Sequence, residues 1–86
     1  MNQIDQDDIG VPYTADDAVA ENIERIRVFE KDGGTYLSTS QQIMVGLALC
    51  RPDLLEQANY PVADIKTAWR RLNDSQRQAI ITWWQN

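Results

Sequence analysis

Apolar positions along this chain recur at helical spacing through most of its length. After Thr14, the residues Ala15, Val19, Ile23, Ile26 and Phe29 fall in one stripe of a helical wheel. Asp17, Glu21 and Glu24 line the opposite side. Thr14 suits an N-cap, because its hydroxyl can accept the backbone N–H of Asp16 or Asp17. Both carboxylates also favour the positive end of the helix dipole, and Gly33-Gly34 supplies a C-terminal stop. The spacing predicts a helix over about 15–31. A short hairpin over 26–37 competes with it, since Ile26 and Val28 alternate with charged residues and Asp32-Gly33-Gly34 can turn. An isolated hairpin is marginal and few partner strands exist elsewhere, so the helix is preferred.

Ser38 and Gln41 have the spacing of a capping box, which opens a second helix over 39–50. From Ile43 to Cys50 every residue except Gly46 is apolar, so this helix belongs at the centre of the fold. Gly46 costs it about 1 kcal/mol relative to alanine, which points to another backbone packed close. Pro52 ends the helix after Arg51. Asp53 to Gln57 then adds one short turn that sets Leu54 and Leu55 over the core. Pro61 suits the first turn of a helix over 62–72, with Val62, Ile65, Ala68, Trp69 and Leu72 on one arc. Asn73 and Gln76 repeat the capping box before a last helix, 75–85, which carries Ala79, Ile80, Ile81, Trp83 and Trp84. The expectation is an all-α, compact single domain of about four helices over 13–86. Before it, residues 1–12 read as an extended acidic arm, dense in Asp5, Asp7 and Asp8 and broken by Gly10 and Pro12.

Composition narrows the chemistry. The 86 residues include no histidine and one cysteine, Cys50. That removes histidine acid–base catalysis, Cys–His nucleophile pairs, zinc fingers and an internal disulfide. No apolar run reaches the ~18 residues of a membrane span, and the acidic start lacks the order of a signal peptide. A cytoplasmic protein with no membrane partner is expected. The net charge of −5 hides a gradient. Residues 1–32 hold nine of the thirteen acids and three of the eight bases, a balance of −6. Residues 62–86 stand at +2, through Lys66, Arg70, Arg71 and Arg77 against Asp64 and Asp74.

Each candidate constellation has a plain alternative. Cys50 shares a face with Ile43 and Leu47 and reads as a small core residue. Asp17, Glu21 and Glu24 form a solvated helix face or an acidic docking ridge. Acid–base catalysis would need a cleft that splits their pKa values. Asp5, Asp7 and Asp8 fail the calcium-loop pattern, and Gly33-Gly34 lacks the lysine of a phosphate loop. No catalytic, cofactor or metal residue is therefore assigned. The two C-terminal helices offer a helix-turn-helix in which Arg70, Arg71 and Arg77 would contact nucleic acid. That helix, however, spends most of its surface on isoleucine and tryptophan, and the −6 segment repels phosphate. Trp83 and Trp84 point about 100° apart, so both face the core only if the helix is embedded on a wide arc. Trp84 lies toward the edge of that arc, either as an ordinary core residue or in a partner-binding patch, where tryptophan is a common anchor.

The run Leu37-Ser38-Thr39-Ser40-Gln41-Gln42-Ile43, continuing through Leu47-Ala48-Leu49 and Arg51-Pro52-Asp53-Leu54-Leu55 to Ala68-Trp69-Arg70-Arg71-Leu72, resembles small open reading frames of phages and prophages. The resemblance covers about residues 26–72 and implies a compact accessory or inhibitory protein acting on host or defence machinery. It brings no catalytic residue. The expected function is a non-enzymatic protein-binding module for a partner with a basic surface, through Asp17, Glu21, Glu24 and Trp84. No specific nucleic acid is expected. The alternative is a small helix-turn-helix regulator.

Overall fold

A computed structural model describes residues 14–33 and 36–86; the expected arm at 1–12 lies outside the described residues. The fold is all-α, in the order α1 (Ala15–Asp32), α2 (Thr39–Ala48), α3 (Pro52–Gln57), α4 (Ile65–Arg71) and α5 (Asp74–Gln85). A 3-10 turn, Val62–Asp64, leads into α4. No helix of the described residues is long and apolar enough to cross a membrane.

Three capping boxes begin the three long helices. Thr14 pairs with Asp17, Ser38 with Gln41, and Asn73 with Gln76, each side chain satisfying a backbone N–H of the other. α1 runs without a break through Ile26 and Val28 to Asp32, which removes the hairpin reading. Gly33 closes it at a φ of +63°, a conformation that costs a glycine little.

α2 is buried all round from Ile43 to Ala48, as a helix without a polar face must be. α3 and α5 pack against it, with lighter contact from α1 and α4. α5 lies along α1 as well, so it joins the first and second helices into one core. Gly46 faces α3: a Cβ there would stand 3.2 Å from Leu54 Cβ and 3.1 Å from Leu55 Cδ2. The close approach is made by side chains of α3, not by a second backbone as the sequence suggested. Leu54 and Leu55 are buried, and the Gln42 side-chain amide donates to the Leu54 carbonyl at 2.9 Å, fastening α3 to α2.

The α1 stripe is narrower than its periodicity predicts. Ile26 is fully buried, Val19, Ile23 and Phe29 only partly, and Ala15 is exposed. Asn22 is buried instead and donates to Ser75 Oγ at 3.2 Å, while the buried Gln76 donates to Ser40 Oγ at 3.2 Å. The start of α5 is thus hydrogen-bonded to both neighbouring helices. Buried amides need such partners, and these also fix where the helices meet.

Cys50 corrects the sequence reading. α2 stops at Ala48, and Cys50 adopts a left-handed φ of +53° and is exposed. Its N–H donates to Leu47 at 3.3 Å and the Arg51 N–H donates to Gly46 at 2.8 Å, the crossed pair of a Schellman motif. Pro52 cannot extend α2 and opens α3 instead, so the chain must turn before it. α3 ends in the same way, with Asn59 at φ +65°. Asparagine tolerates that position; cysteine carries a penalty of about 1–2 kcal/mol. The extra freedom of an unfolded glycine returns only about 0.4–1 kcal/mol. Cys50→Gly is therefore expected to stabilise the protein by about 0.5–1 kcal/mol, seen as a higher denaturation midpoint in urea.

The arc assigned to 62–72 is also corrected. Ala68 and Leu72 are buried and Trp69 half-buried, but Val62 and Ile65 are exposed. The tighter 3-10 turn breaks the 3.6-residue register, so Val62 leaves the core arc. Ile65, the first residue of α4, is exposed and lines a surface groove with Leu47 and Cys50 instead of reaching the centre.

Candidate functional site

The residues singled out from the sequence fall into separate places. Asp17 belongs to the α1 capping box: its carboxylate accepts the Thr14 N–H at 3.0 Å. That bond, followed by the one from the Thr14 hydroxyl, holds the carboxyl below its ordinary pKa. Its charge serves the helix end. Glu24 is ion-paired with Arg27 on the exposed face of α1. Glu21 and Glu24, with Arg25, line a groove of about 290 Å³ whose apolar wall is Val28, Phe29 and Leu37. The acidic ridge is thus split, and two of its three carboxylates border an apolar surface.

Trp84 lies in a different groove, of about 250 Å³, at the junction of α2, α3, the 3-10 turn and α5. With Trp84, its lining is Gly46, Leu47, Cys50, Arg51, Pro52, Leu55, Val62 and Ile65. Trp84 is 54% exposed, Ile65 45% and Val62 48%. The indole N–H of Trp84 donates to the Ala48 carbonyl at 3.0 Å. That carbonyl is one of those left over at the end of α2, so the ring is held while its face stays open. The charged residue of the lining is self-contained: Arg51 forks onto Asp53 at 2.9 and 2.7 Å, and those side-chain bonds lower the Asp53 pKa.

Trp84 is therefore neither a core residue nor a loose one. Trp84→Phe, which keeps a ring and loses the N–H, is expected to cost about 0.5–1.5 kcal/mol. Trp84→Ala is expected to cost about 1–3 kcal/mol, because only part of the side chain is buried. Thermal melting of the two variants checks the order.

The basic candidates separate as well. Arg77 donates to the Trp69 carbonyl at 3.0 Å and the Arg70 carbonyl at 3.1 Å, and pairs with Asp74 at 3.0 Å. Its guanidinium closes the end of α4. Arg70 and Arg71 lie exposed in the last turn of that helix. α5, which would be the reading helix, packs against α1 and α2 along its apolar side.

Sequence reasoning missed Val62 and Ile65 as surface residues, and Val28, Phe29 and Leu37 as the wall beside Glu21 and Glu24. The signal for the first pair was Pro61, which starts a turn of any helical type, not only an α-helix. Among the described residues, no group of three or more cysteines and carboxylates gathers to hold a metal ion. No family, curated protein or solved structure matches this chain.

Proposed function

We propose that this chain is a non-enzymatic protein-binding module that docks on a partner protein with a basic surface. The observation that carries the reading is the groove at Trp84. Val62, Ile65 and Trp84 are three of the five exposed large hydrophobic residues among those described, and they meet at one place. Contiguous exposed apolar surface of this kind marks interaction sites, and a held tryptophan is a common anchor. The net charge of −5 supplies the choice of a basic partner by steering its approach. The resemblance to phage open reading frames supplies the setting: an accessory or inhibitory protein acting in the cytoplasm on host or defence machinery.

The test compares variants on one partner retained from a bacterial lysate. A discrete basic protein held by the native chain should dissociate faster from Trp84→Ala, with a loss of about 2 kcal/mol or more. The double change Glu21→Lys and Glu24→Lys should slow association and flatten its salt dependence. A retained protein indifferent to all these changes sinks the proposal. Duplex DNA provides the contrast. At about 150 mM salt no specific binding is expected, since the acidic segment opposes the few free cations. Tight, salt-sensitive DNA binding lost on replacing Arg70 and Arg71 would transfer the function to the helix-turn-helix reading.

A further inference from the structure

We draw no further inference here: the strongest candidate, the apolar groove around Val62, Ile65 and Trp84 at the junction of α2, α3 and α5, belongs to the site already described, and nothing in the structure shows what covers it.

Discussion

Replacing Ile80 by alanine is expected to lower the unfolding free energy by about 2–5 kcal/mol. Ile80 is fully buried on α5, the helix packed against both α1 and α2. Its removal opens a cavity where three helices meet and where little can collapse inward. A chain of 86 residues has a stability of roughly 4–13 kcal/mol, so the loss is a large fraction of the whole. Each kcal/mol moves the melting midpoint by about 4–8 °C at this size, which places the fall at about 10 °C or more. Thermal melting followed by the helical circular dichroism signal measures it. A change below about 1 kcal/mol would show that α5 is not held in the core.

Gly46→Val is expected to destabilise the protein by about 1–3 kcal/mol, although valine has the higher helix propensity. The propensity gain is only a few tenths of a kcal/mol. Against it stands α3: the new Cβ would already be 3.2 Å from Leu54 Cβ, and Leu55 Cδ2 is nearer still. Valine adds two methyl groups at that point. Leu54 is fixed through its backbone, whose carbonyl accepts from Gln42, so it cannot swing aside as a free side chain could. Urea titration of Gly46→Ala and Gly46→Val should show the larger residue to be worse. The reverse order would mean that α3 moves freely on α2.

Most of the fold was legible because its signals are local. Each capping box is written in four consecutive residues, and the apolar run from Ile43 names the central helix without help from any distant contact. The failures came where a local rule met a tertiary demand. Cys50 belongs to the apolar run by composition, but Pro52 two residues later requires a chain reversal, and the reversal puts Cys50 in a left-handed turn. Val62 and Ile65 satisfy an α-helical arc on paper, yet the chain enters α4 through a 3-10 turn that rotates them outward. Asn22 is polar by type and buried by its hydrogen bond to Ser75, a partner 53 positions away that no local pattern shows. The candidate site followed the same division. The carboxylates and Trp84 could be named singly; that they border two different apolar grooves depends on how α1, α2 and α5 pack.

The pairing of α1 with α5 has a consequence for the order in which the chain is made. α2 and α3 are neighbours in sequence, and their link from Gln42 to Leu54 spans 12 positions. That unit can close soon after its residues leave the ribosome, since short loops cost little entropy to form. α1 touches α2 only lightly and packs mainly on α5. Its contact through Asn22 waits for Ser75, and at about 5–20 residues per second the wait lasts roughly 3–10 s. Through that interval the side of α1 that meets α5 stays uncovered. Of the described helices, the first to be synthesised completes its packing only with the last.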